Sequence, residues 1–178
     1  MEIRCVAVIG AGTMGAGIAQ VCAQSGWKTH LFDAFPEGLE RGMQRIDAFW
    51  EKGIARGKTT LEQKVEWSKN LHPFSDMERA VGEADLVIEA VPEIPELKHS
   101  IFSELDRLAP SHALLGTNTS SLSIADIAAA TSRPENVIGM HFFIRFTFHY
   151  LFSKDKYRQR GNRYIGCYLQ FFRPIILG

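Results

Sequence analysis

Two kinds of apolar pattern alternate along the chain. Short, uninterrupted, largely aliphatic runs occur at "IRCVAVIG", "KTHLFD", "DLVIEAV", "ALLGTNTS" and "ENVIGMHFF". Runs of this length bounded by turn residues read as strands covered on both faces. Between them, apolar residues recur every three or four positions, as they do in helices with one side on a core. The first helix is expected from Met14 to Ser25, with Gly26 as its stop. A long amphipathic helix opens at Pro36 and runs to about Gly53, and a polar one is expected within Lys58 to Asn70. "LHPFSD" reads as a short third strand. Pro95 opens "PELKHSIFSELDRLA", which repeats Leu97, Ile101, Leu105 and Leu108 on one side, and "SIADIAAATS" supplies the last helix.

Strand, helix, strand in this order predicts an α/β fold: a doubly wound, largely parallel sheet with helices on both faces. Ligands of such sheets bind outside the carboxyl ends of the strands. That edge collects Gly10 to Gly15, Asp33, the residues after Ala90, Thr117 to Ser121, and His141.

At 178 residues, the chain is long enough for one substantial core and too short for two full-sized ones. Its net charge of zero offers no electrostatic attraction to nucleic acid or to an anionic membrane surface. The average conceals a boundary, however. Arg145 to Gly178 holds seven Lys/Arg against the single acid Asp155, together with all four tyrosines. The expected organisation is therefore a domain over 1–143 and a basic, aromatic tail over 144–178, with no helical or clean alternating period in the tail. The three cysteines share no metal-ligand spacing and read as reduced, mostly buried thiols, and no metal site is expected. No apolar run is long enough to span a bilayer, and a strand begins almost at the first residue, so a cytoplasmic protein without a signal peptide is expected.

The chemistry starts at "GAGTMG". Gly10, Gly12 and Gly15 form a G-x-G-x-x-G pattern that follows a strand, opens a helix and has Asp33 about twenty residues on, the arrangement of a dinucleotide site. Gly10 permits the tight turn, Gly12 lets backbone approach a pyrophosphate, and Gly15 lets helix and strand pack closely. Asp33 is suited to accept hydrogen bonds from the adenosine ribose hydroxyls and would repel a 2′-phosphate, which favours NAD over NADP. Ser120 and His141 end consecutive strands, so the fold can bring them together. A histidine there could act as a general base toward an alcohol, although by spacing alone one within "MHFF" reads more readily as a packed core residue.

Four separated segments, "VAVIGAGTMGAGIAQVCAQSGWKTHLFD", "DLVIEAVPEIPELKHSIFSELD", "NTSSLSIADIA" and "RPENVIGMHFF", together resemble the NAD-binding Rossmann domain of L-3-hydroxyacyl-CoA dehydrogenases. The resemblance runs from Ile3 to Phe143. It implies oxidation of the 3-hydroxyl of an acyl-CoA to a ketone with NAD as hydride acceptor. By resemblance His141 is the catalytic base, Ser120 hydrogen-bonds the substrate oxygen, and Glu93 and Lys98 lie near the nicotinamide and the CoA side of the cleft. Lys98 is also explicable as a solvated helix residue, and Glu89 reads as structural. A family dimer and an acyl-CoA substrate are the implied partners.

The resemblance weakens at Ile94, where the family usually has Asn, and stops after Phe143. Ile144 and Arg145 stand where Asn-Pro would follow, and Ser153 stands where the resemblance implies a glutamate that orients the histidine. The family's helical C-terminal domain, which forms the dimer and covers the acyl-CoA, is expected to be missing, and the change of pattern suggests a frameshifted or rearranged tail. Impaired catalysis follows as an expectation, with a non-catalytic NAD-binding module as the alternative. A dehydrogenase of another substrate, such as a sugar acid, fits "NTSSLSIADIA" and "GMHFF" less well.

Overall fold

The computed structural model describes residues 2–145 and the strand 164–170. Five strands lie where the apolar runs predict: β1 (Cys5–Ile9), β2 (Lys28–Phe32), β4 (Leu86–Glu89), β5 (Leu114–Thr117) and β6 (Val137–Arg145), with the short β3 at Leu71–Phe74. The helices are α1 (Thr13–Gln24), α2 (Pro36–Ala55), α3 (Leu61–Lys69), α4 (Met77–Val81), α5 (Pro95–Leu108) and α6 (Ile124–Ala128). A further strand, β7 (Tyr164–Gln170), lies in the tail, where no regular period is visible in the sequence. It pairs antiparallel with β6. The rest of the basic, aromatic tail, with Ser153 and Asp155, lies outside the described residues.

The sheet runs β3-β2-β1-β4-β5-β6-β7. All pairs from β3 to β6 are parallel, in register from Ile9↔Phe32 on one side of β1 to Ile9↔Glu89 on the other. The chain thus winds outward from β1 in one direction, then returns to β1 and winds in the other. This leaves a crevice at the carboxyl ends of β1 and β4.

β1 is central, and all five of its residues are buried. Its alternation distributes them between two cores. Val6 and Val8 join Ile18, Leu31, Ile46, Trp50 and Ile88 under α1 and α2, whereas Ala7 and Ile9 join Val87, Phe102, Leu105, Leu115 and Ile127 under α5 and α6. Each fully buried large aliphatic stabilises the fold by about 1.5–3 kcal/mol, so the two cores hold the carboxyl edge rigidly.

On α5 the buried residues are Lys98, Ile101, Phe102 and Leu105. Leu97 and Leu108, expected on this face, only pack against its margin. The inward stripe is rotated because it has to admit a lysine, whose partner lies on another element.

Candidate active site

Gly10 leaves β1 with φ +99°, a left-handed conformation open to glycine, and its N–H donates to the Phe32 carbonyl at 2.8 Å. A Cβ on Gly10 would also lie 3.0 Å from the Ala90 carbonyl oxygen, at the end of β4. A Cβ on Gly15 would come within 1.7 Å of the Gly10 carbonyl oxygen, so α1 can seat here only with a glycine. Gly12 differs: nothing lies within 4 Å of where its Cβ would be. It faces open space at the N-cap of α1, an end with no side-chain cap and no acid in its first turn. By contrast, the much shorter α4 and α6 are capped by Asp76 and Ser123.

Asp33 closes this turn from β2. Its Oδ2 accepts the Ala11 N–H at 2.8 Å and its Oδ1 accepts the Phe35 N–H at 3.0 Å. The carboxylate thus fastens the glycine turn to the start of α2, at the place where a ribose would follow a pyrophosphate. An uncapped helix end, an open space at Gly12 and a fixed carboxylate beside it fit the diphosphate and adenosine ribose of a dinucleotide.

The neighbouring turn, after β4, is built from charge. Glu89 and Lys98 are both fully buried, and the lysine Nζ donates to both Glu89 carboxylate oxygens at 2.6 and 2.8 Å. Glu89 also accepts the Val91 N–H at 2.8 Å and the Thr117 hydroxyl at 2.7 Å, so three elements meet at one carboxylate. Lys98 is therefore not the solvated helix residue that its sequence allowed. The same ammonium lies 3.3 Å from Glu93 Oε2. Glu93 in turn accepts the Thr119 hydroxyl, the Ser120 N–H at 2.9 Å and the Ser121 N–H at 3.2 Å. Burial would raise the Glu93 pKa, but the hydrogen bonds from Thr119 and Ser120 and the Lys98 charge outweigh it and pull the group down to about 2.

Ser120 and His141, 21 residues apart in sequence, line one cleft of about 250 Å³ together with Met14, Ala90, Glu93 and Asn118. β6 places the histidine. Its pairing with β5 ends at Thr117↔Gly139, so His141 projects from the part of β6 beyond β5. Asn118 secures that extension by accepting the Phe142 N–H at 2.8 Å through its side-chain oxygen. Sequence reasoning placed Asn118 on the correct edge without giving it a role. Its only signal was a short polar side chain directly after a buried strand.

This geometry coincides with a family match. The family described as "3-hydroxyacyl-CoA dehydrogenase, NAD binding domain" matches residues 5–148. The chain belongs to this family. It is 46% identical over 143 residues to the 3-hydroxyadipyl-CoA dehydrogenase of Escherichia coli K12, spanning 80% of this chain and 30% of that protein. It is 43% identical to a probable 3-hydroxybutyryl-CoA dehydrogenase of Bacillus subtilis, over 80% of this chain and 49% of the relative. The crystal structure of an E. coli K12 3-hydroxybutyryl-CoA dehydrogenase superposes with a TM-score of 0.77 at 45% identity, covering 80% of this chain and 30% of that one. The chain thus spans half or less of the length of these relatives. NAD is the cofactor of this domain family, and the Gly10–Gly15 turn with Asp33 is the part of the 3-hydroxyacyl-CoA dehydrogenase domain whose geometry fits it. Among the described residues no helix is long and apolar enough to cross a membrane.

Proposed function

We propose that this domain serves NAD-dependent interconversion of an L-3-hydroxyacyl-CoA and its 3-ketoacyl-CoA. Bound NAD would supply the hydride acceptor. Gly10, Gly12 and Gly15 hold its pyrophosphate against the α1 N-terminus, and Asp33 takes the adenosine ribose. Glu93 borders the nicotinamide end of the cleft. Lys98 acts on that end from the interior, by holding Glu89 and Glu93. Ser120 donates to the substrate oxygen, and His141 removes the hydroxyl proton, or returns it in reduction. One observation carries the reading: Ser120 and His141 open into a single cleft that also touches the glycine turn through Met14.

Within this proposal, NAD binding outlasts catalytic efficiency. Ser153 stands where the resemblance implies a glutamate, and a serine can orient an imidazole without neutralising the charge that develops on it. Acyl-CoA is the substrate class.

Isothermal titration with NAD, followed by an acetoacetyl-CoA and NADH absorbance assay on the same sample, tests the reading. Wild type and His141→Gln are expected to bind NAD alike. Any wild-type turnover should fall by about 100-fold or more in the variant, as expected for loss of a general base. Ser153→Glu is expected to raise turnover. Absence of NAD binding, or turnover indifferent to His141, would overturn the proposal.

A further inference from the structure

At the opposite edge of the sheet, where the strands begin, three side chains from separate segments converge. Cys5 opens β1, His30 lies within β2, and Glu83 lies in the loop between α4 and β4. Their potential ligand atoms all lie within 4.8 Å of one another, and this is the one such cluster among the described residues. Cys5 Sγ is 3.9 Å from His30 Nε2, and Glu83 Oε1 is 3.4 Å from the same nitrogen.

The imidazole is oriented for this. Its Nδ1 lies 2.7 Å from the Ala80 carbonyl oxygen, which can only accept, so Nδ1 carries the proton. The neutral ring then directs its Nε2 lone pair at the thiol and the carboxylate. His30 is 1% exposed and packs against Phe74 at 4.5 Å, which holds the ring in this orientation. The Cys5 S–H can donate to that lone pair at 3.9 Å and Lys28 Nζ holds Glu83 Oε1, and one divalent ion would replace both contacts. A backbone carbonyl on the far nitrogen is also the usual way of fixing a metal-binding histidine.

We infer that Cys5, His30 and Glu83 form a zinc site on the amino edge of the sheet, away from the NAD cleft. One sulfur, one imidazole nitrogen and one carboxylate oxygen suit a borderline-soft divalent ion of tetrahedral preference. Bonds of about 2.0–2.3 Å set ligand separations of roughly 3.5 Å around tetrahedral zinc, so uptake draws the three groups, now up to 4.8 Å apart, inward by up to about 1 Å. The exposed Glu83 is the entry side and leaves the fourth position to solvent. It also contacts Lys28 Nζ, which the incoming ion displaces or shares through the second carboxylate oxygen. Asp85, whose charge acts on Cys5, and His72, whose ring centroid lies 5.9 Å from that of His30, complete the polar surroundings. Binding forms a zinc–thiolate bond and releases one proton from sulfur to solvent. The ion then ties the start of β1 and the middle of β2 to the loop before β4.

The test is cobalt(II) titration of the untagged, metal-stripped chain, followed by displacement with zinc. One equivalent should bind, giving a thiolate-to-cobalt charge-transfer band and intense tetrahedral d–d absorption, both abolished by zinc. Cys5→Ser and His30→Gln should each weaken zinc by more than about 100-fold, beyond the usual loss for an outer-shell partner. Cys22→Ser with Cys167→Ser should retain the full signal. Circular dichroism and NAD titration report whether the buried variants fold. Should they not, wild-type cobalt spectra and the surface change Glu83→Gln decide, the latter weakening binding while the thiolate band persists. Absence of stoichiometric binding, a spectrum without thiolate, or affinity unaffected by Glu83→Gln would overturn the inference. The cobalt readout is independent of the dehydrogenase proposal.

Discussion

The turns after β1 and β4 lie side by side, joined by the Ala90 N–H bond to the Ile9 carbonyl at 2.8 Å, yet they are built by opposite means. The β1 turn consists of backbone, with side chains removed wherever chain or ligand must approach. The β4 turn is built on charge, with buried Glu89 and Lys98 and part-exposed Glu93 locked into one network that reaches Ser120. A phosphate is met well by N–H groups at a helix end, which requires empty space. A substrate oxygen and a nicotinamide require particular side chains in fixed positions, which calls for a rigid scaffold. The two turns therefore fail in different ways.

The largest effect is expected from Lys98→Met. It leaves Glu89 buried and uncompensated, with a loss of about 3–5 kcal/mol in chemical denaturation. Combining it with Glu89→Gln should restore much of that loss, because the unpaired charge is then gone. If the single change were as mild as the double, the charged network would not be what holds the β4 turn. Gly15→Ala comes next. Its Cβ meets the Gly10 carbonyl and forces α1 outward, with about 3 kcal/mol of destabilisation and loss of NAD binding by titration.

Glu93 is a subtler probe of the same network. Its pKa is depressed from 4.5 to about 2, so the folded state gains stability that is complete above pH 4.5 and is lost as the pH falls toward 2. Glu93→Gln should flatten that part of the stability profile, by about 1 kcal/mol given its partial exposure to solvent. The smallest effect on stability belongs to Gly12→Ala. With open space at the Cβ position, the melting transition should stay within about 0.5 kcal/mol of wild type while NAD affinity falls. If both glycine variants lost stability equally, the distinction between packing and ligand approach in the β1 turn would fail.

The β1 turn was legible in the sequence because its requirements are local. A left-handed residue, a close helix–strand contact and a carboxylate at the end of the next strand each leave a mark at a fixed spacing. The strands were legible for a related reason, since a strand covered on both faces must be continuously apolar. α5 shows where that reasoning stops. An apolar repeat selects Leu97 and Leu108 for the buried stripe, yet Lys98 is the residue buried, because its partner Glu89 lies on β4. β7 likewise carries no period that marks it as a strand.

By itself the sequence determined the order of the six parallel strands and of helices α1, α2, α3, α5 and α6, the sheet edge that collects the candidate site, and the glycine turn with Asp33, because backbone geometry and burial constrain residue types position by position. Only the tertiary structure decided that Lys98 is an interior ion-pair partner, that Glu93 clamps the Ser120 loop, that Asn118 anchors the strand bearing His141, and that Cys5, His30 and Glu83 meet at the other edge. Each of these depends on distances between segments far apart in the chain, and electrostatic attraction and hydrogen bonding respond to distance in space rather than to separation along the sequence.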